Sequence, residues 1–191
     1  MSRPNILYLH SHDTGRYIQP YGRPVPTPNL QKLAEQGIVF RHNCSVAPTC
    51  SPSRAGLLTG MCAHSAGMIG LAHRGFTLSD YTKHIVHTLR PAGYKSTLIG
   101  VQHVAPEADM IGYDQVVDVP SAHAKHVAPA AVEHLETGPS EPFFLSVGFI
   151  ETHREELQRR LRRPPRPKAS EPARSDRTWR AYGRAHGPAR H

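Results

Sequence analysis

Pro142-Phe143-Phe144-Leu145-Ser146-Val147-Gly148-Phe149-Ile150 is the stretch whose reading decides the fold. Apolar residues run through it without alternation, interrupted only by the small Ser146 and Gly148. A strand with one wet face alternates; a strand covered on both faces does not. The run therefore predicts a strand in the middle of a mostly parallel sheet. Working outward, Ile6-Leu7-Tyr8-Leu9, bounded by Pro4 and a polar loop, reads as a second buried strand, and 94–100 with Thr97, Leu98 and Ile99 as a third. Residues 116–119 fit an edge strand, and Ile38-Val39-Phe40 is one more candidate.

Helical signals lie between these runs. Thr27-Pro28-Asn29-Leu30 combines a capping residue with a first-turn proline, Gly37 supplies a stop, and Leu30, Leu33 and Ala34 make an apolar stripe. Ser51-Pro52 opens another helix that ends near Gly60. Residues 80–89, with Ser79 as cap and Pro91-Ala92-Gly93 after them, predict a third, and 122–135 a weaker fourth. Strands alternating with helices predict an α/β fold with a mostly parallel sheet flanked by helices.

The formal net charge of +8 is unevenly placed. Residues 1–153 carry 11 basic and 11 acidic side chains, whereas 154–191 carry 12 and 4. A basic, nucleic-acid-binding reading thus fails for the main body and can concern only the tail. The tail contains no Val, Ile, Phe or Met and is dominated by Arg, Pro, Ala and Gly. It cannot bury enough surface to offset its ordering entropy, so the expected organisation is one domain over 1–153 and a disordered Arg/Pro-rich segment over 154–191. Three cysteines, at 44, 50 and 62, do not make a disulfide framework. The spacing of Cys44, Cys62 and His64 matches no zinc-finger pattern. No signal peptide and no membrane-length apolar run are read, which leaves the cytoplasm as the expected compartment and no membrane partner.

The chemistry concentrates in Cys50-Ser51-Pro52-Ser53-Arg54-Ala55-Gly56-Leu57-Leu58-Thr59-Gly60. A thiol stands at the mouth of a helix, where free N–H groups and the helix dipole favour anions. Arg54, one turn on, can return a guanidinium to a bound oxyanion. From the residues alone, an anion-binding nucleophile and a structural helix-start thiol are both open.

Cys-x-Pro-Ser-Arg followed by Ala-Gly-Leu-Leu-Thr-Gly resembles the signature of the formylglycine-dependent sulfatases. The resemblance implies an alkaline-phosphatase-like fold, oxidation of Cys50 to formylglycine by a formylglycine-generating enzyme, and attack on sulfur by the hydrated aldehyde. Arg54 then steadies the modified residue. Arg3-Pro4-Asn5-Ile6-Leu7 with His12-Asp13 is similar to the family's first strand and the acidic pair after it. This implies a calcium or magnesium ion held by Asp13, by the modified Cys50 and at the position of His12, where the family has Asp. Ile99-Gly100-Val101-Gln102-His103 resembles a Gly-Lys-x-His element in which His103 matches and Val101 replaces the lysine. The segment from Phe143 to His153 resembles the strand ending in an active-site histidine, which makes His153 the expected proton donor to the leaving group.

Two of these matches lean towards the sulfamidase-like branch. The resemblance runs from residue 3 to about 154 and implies the N-terminal portion of a longer fold, without the family's later metal ligands. The expected substrates are sulfated small molecules or glycans, cleaved at a sulfate ester or N-sulfate, with weak or absent activity of this chain alone. The rival expectation is a non-catalytic anion-binding protein with a cationic tail; a nucleic-acid partner is disfavoured.

Overall fold

In a computed structural model of the chain, residues 3–153 are described. They belong to one compact unit, Met1–Arg154. The disorder expected over 154–191 lies outside the described residues.

The continuous apolar run forms β4 (Phe143–Gly148), which sits between two neighbours in a four-stranded sheet. With β1 (Ile6–His10), β2 (Lys95–Gly100) and β3 (Gln115–Val117), the strand order is β1-β4-β2-β3, and every pairing is parallel. Side chains of β4 alternate between two cores, so both faces demand apolar residues. Phe144 joins Leu58, Met68, Val86 and Ile111 on one face. Leu145 and Val147 join Ile99, Val127 and Ala131 on the other. The first core is closed by α2 (Cys50–Thr59) and α3 (Ile85–Leu89), the second by α4 (Ala124–Glu136).

Register aligns the carboxyl ends of three strands. His10 pairs with Gly148, and Gly148 with Gly100. The row is tight: a Cβ on Gly148 would lie 2.0 Å from the Val101 carbonyl oxygen and 2.4 Å from the His10 ring. A bulkier residue there would push the β2 and β1 loops apart. The three loops leaving this row bring the candidate site together, as expected at the carboxyl edge of an open parallel sheet.

Helix α1 (Pro28–Gln36) forms where predicted, but none of its residues is buried, and Thr27 spends its hydroxyl on the Gln19 amide rather than on a cap. Ile38-Val39-Phe40 is not a strand. No sheet neighbour is available to it, and Ile38 is 81% exposed and Phe40 66%; β propensity without a partner does not make a strand. The helix expected over 80–89 divides. Asp80, not Ser79, accepts the Thr82 amide to start a 3-10 turn over Tyr81–Lys83. His84 then caps α3 anew. In α2 the N-cap position belongs to Thr49, while Ser51 lies inside the helix and accepts the Ala72 amide at 3.0 Å.

Candidate active site

Cys50 is the first residue of α2 and partly exposed, at the helix end where unpaired amides favour an anion. Arg54 lies one turn further, buried beneath it. Its guanidinium donates to the Nδ1 of His10 and, at 3.2 Å, to the carbonyl of Ser11. Both described partners are uncharged, so the positive charge of Arg54 is left for a ligand. Its Nε is buried with no hydrogen-bond partner.

His10 has to be neutral to accept that bond. Burial, reinforced by the charge of Arg54, pushes its pKa down to about 3. His12, two residues on, is 1% exposed. Its backbone is strapped to the loop after β4: His12 donates to the Glu151 carbonyl at 2.7 Å and accepts from the Thr152 amide at 2.8 Å. Its Nε2 lies 2.8 Å from the Nδ1 of His103, which follows β2. Burial and then the charge of Arg54 hold His12 below the ordinary histidine value; burial, with His12 next, takes His103 to about 4. Three neutral imidazoles and one guanidinium whose charge its described partners do not balance therefore gather at the carboxyl edge of the sheet.

Asp13 and His103 are the two described non-glycine residues with positive φ, at 52° and 56°. Backbone in this region costs about 1 kcal/mol or more and is kept where the surroundings enforce it. Here it turns both loops back over the edge of the sheet. The Asp13 carboxylate lies 3.7 Å from His12 Nδ1 and 3.9 Å from His153 Nε2. The His153 ring meets His12 edge-on at 4.9 Å.

Cys50, Arg54, His12, Asp13, His103 and His153, drawn from four separate segments, are thus brought to one place. Ligand atoms of His12, Cys50 and His103 lie within 4.8 Å of one another, and so do those of His12, Asp13 and His153. His10 is the member that sequence reasoning missed. Its only signal was its place at the end of a strand, two residues before His12. A cavity of about 650 Å³ opens beside Asp13, lined also by Tyr17, Leu30, Phe149 and Thr152. A second, of about 270 Å³, is lined by Arg16, Tyr21, Arg23, Arg41 and His42. Among the described residues, no helix is long and apolar enough to cross a membrane.

Comparison with known proteins bears on the family and the fold. The chain is 33% identical to human N-sulphoglucosamine sulphohydrolase over 165 residues, covering 80% of this chain and 32% of that protein. It is 32% identical to an ulvan-active sulfatase of Formosa agariphila over 163 residues, covering 79% and 25%. It therefore spans about a third or less of the length of these relatives. A protein solved in complex with its substrate D-glucosamine-2-N,6-O-disulfate superposes with a TM-score of 0.67 at 25% identity, over 80% of this chain and 35% of that one. A 2-O glycosaminoglycan sulfatase superposes at 0.65, with 23% identity, over 79% and 35%, which speaks for the fold. The Sulfatase family model matches residues 4–186, further along the chain than the motif resemblance ending near 154. By this match and by the identity to its relatives, the chain belongs to the sulfatase family.

Proposed function

We propose that this chain is the nucleophile-bearing portion of a sulfuric ester hydrolase acting on sulfate esters or N-sulfates of sugars. The observation that carries the reading is the meeting of Cys50 and Arg54, on the first turn of α2, with His12 and His103 at the carboxyl edge of the sheet. Formylglycine use and metal binding are general to the family; conversion of Cys50 in this chain is part of the proposal. Formylglycine at position 50 would supply a hydrated aldehyde whose hydroxyl attacks sulfur. Arg54 would hold a sulfate oxygen, since its described partners leave its charge uncompensated. His103 would donate to a second oxygen, and His153, exposed beside Asp13, would protonate the departing sugar oxygen or nitrogen.

The substrate class has two supports. A relative and a structural neighbour carry names that refer to N-sulfated glucosamine. The cavity lined by Arg16, Arg23, Arg41 and His42 suits further anionic groups of a polysulfated chain.

A calcium or magnesium ion is less well served by the residues present. Calcium takes six to eight oxygen ligands. Among the described residues at the site Asp13 offers the one carboxylate that groups with His12, and a modified Cys50 would add one oxygen more. This donor set does not make a hard-cation cage, and turnover by this chain alone is expected to be slow.

Co-expression of the chain with a formylglycine-generating enzyme tests the reading. The expected results are a mass decrease of the Cys50 peptide that matches conversion of its thiol to an aldehyde, and release of sulfate from N-sulfoglucosamine that disappears in Cys50→Ala. A Cys50 that stays a thiol, or sulfate release that survives the substitution, overturns it. Polyanion binding that falls steeply with salt and vanishes on deletion of 154–191, without sulfate release, would favour the non-catalytic alternative.

A further inference from the structure

The donor set that serves calcium poorly serves another cation well. We propose that, in the chain whose Cys50 remains a thiol, Cys50, His12 and His103 form a three-ligand site for zinc. The proposal concerns the unconverted thiol and stands whether or not the hydrolase reading holds.

Two imidazoles and one thiolate are ligands that zinc prefers and calcium does not. Their ligand atoms lie within 4.8 Å of one another, and His12 Nε2 and His103 Nδ1 are already 2.8 Å apart. A tetrahedral ion with zinc–nitrogen bonds of roughly 2.0–2.1 Å and a zinc–sulfur bond of roughly 2.3 Å would need the two nitrogens to open by about half an ångström and the sulfur to close by about an ångström, within reach of small χ adjustments. The ion would take the place of the hydrogen now shared by the two imidazoles. Cys50 would release its proton to solvent, and each histidine would stay neutral.

A second observation points independently to a ligand. His12 is 1% exposed, yet its Nδ1 has no hydrogen-bond partner, and the Asp13 carboxylate stands 3.7 Å away. An imidazole that binds metal through one nitrogen almost always donates its other N–H to a carboxylate or carbonyl, which fixes the ring and raises its basicity. Binding through Nε2 would place the hydrogen of His12 on Nδ1, facing Asp13, and a small rotation would complete the bond. Asp13 is then a positioning residue, and its negative charge offsets the Arg54 guanidinium, which otherwise opposes a cation here. His103 and Cys50 are each partly exposed, so the ion has an entry path. Three protein ligands leave a fourth position for water or an anion, the arrangement of an open rather than a closed zinc site. Cys44 and Cys62 are exposed and belong to no metal-binding group among the described residues.

The test uses the full chain expressed without a modifying enzyme and stripped of metal by a chelator. Zinc titration should show one site that Cys50→Ala, His12→Ala and His103→Ala each weaken by about a hundredfold or more, and that Asp13→Asn weakens by about tenfold. Cobalt(II), used as the spectroscopic probe, should give a thiolate-to-metal charge-transfer band that Cys50→Ala removes and Cys62→Ser keeps. Because a variant can fail to fold, the same chain without substitution carries a further measurement. Zinc should slow alkylation of Cys50, mapped by peptide, while Cys44 and Cys62 react at unchanged rates, and calcium should protect none of the three. Zinc binding indifferent to Cys50→Ala, or alkylation of Cys50 unaffected by zinc, overturns the proposal.

Discussion

Arg54 lies buried with its guanidinium divided between His10 and the Ser11 carbonyl, and that division sets what a substitution does. Arg54→Ala would take the donor from two part-buried acceptors and empty a buried site, so it should cost about 1–3 kcal/mol in urea unfolding. Lysine carries the charge but cannot serve two acceptors in one plane. Arg54→Lys should therefore keep the fold at a cost of about 1 kcal/mol and weaken inorganic sulfate binding by about tenfold, read by calorimetry. Equal sulfate affinity in the two proteins would show that Arg54 does not face the anion. Cys50 and Arg54 were legible in the sequence because their relation is local: a helix start and one turn. His10 was not, because its partner is 44 residues away and nothing in its neighbours records the contact. Nor could the sequence show that Asp13 and His103 adopt positive φ, since that conformation is imposed by loops from different strands meeting over one edge.

At the level of elements, the buried strands were readable and the short helices were not, for one physical reason. A strand sandwiched between two cores, such as β4, must be apolar throughout, and few other structures impose that pattern. A five-residue helix such as α3 is held by its cap and its neighbours rather than by its own periodicity, and its cap is a histidine. His84 is fully buried, packs edge-on against Tyr113 at 5.6 Å and accepts the Val86 amide through Nδ1. Burial, with the charge of His87 second, pushes its pKa down to about 4, against about 6.5 in an unfolded chain. The folded value is depressed, so the sign is clear. Above pH 6.5 both states are neutral and the full stability is present. As the pH falls from 6.5 towards 4 the unfolded chain takes up a proton that the folded chain refuses, and stability drops by up to about 1.4 kcal/mol per pH unit. Below 4 the loss levels off. His84→Asn keeps an acceptor for Val86 and removes the titration. It should start less stable at pH 7, but lose about 2 kcal/mol less than the parent chain between pH 7 and 5. Parallel stability curves for the two proteins would show that His84 does not carry this pH dependence.

Across the whole molecule, apolar surface is distributed unevenly. Tyr8 and Ile6 of β1 pack onto the first core, while Leu7 and Leu9, on the opposite face of the same edge strand, are 47% and 54% exposed. The stripe of α1 that predicts a core contact is also open, with Leu30 and Leu33 both exposed, and Ile38 and Phe40 follow directly. Periodicity announced that α1 has an apolar face but could not say whether anything covers it; among the described residues nothing does so fully. Exposed apolar side chains, and a strand edge that has no partner among the described residues, each favour self-association. The full chain is therefore expected to sediment as a concentration-dependent mixture of monomer and larger species, and to bind a hydrophobic dye in its folded state. Ile38→Lys with Phe40→Glu removes apolar surface without touching either core or the site. That double variant should shift sedimentation towards monomer and lower dye binding, with unfolding free energy changed by no more than about 0.5 kcal/mol, the usual range for exposed positions. Association that persists unchanged in this variant would locate the sticky surface on the Leu7 and Leu9 face of β1 instead. Leu7→Lys would separate the two faces, because the alternation of β1 keeps that side chain out of the core that Ile6 and Tyr8 join.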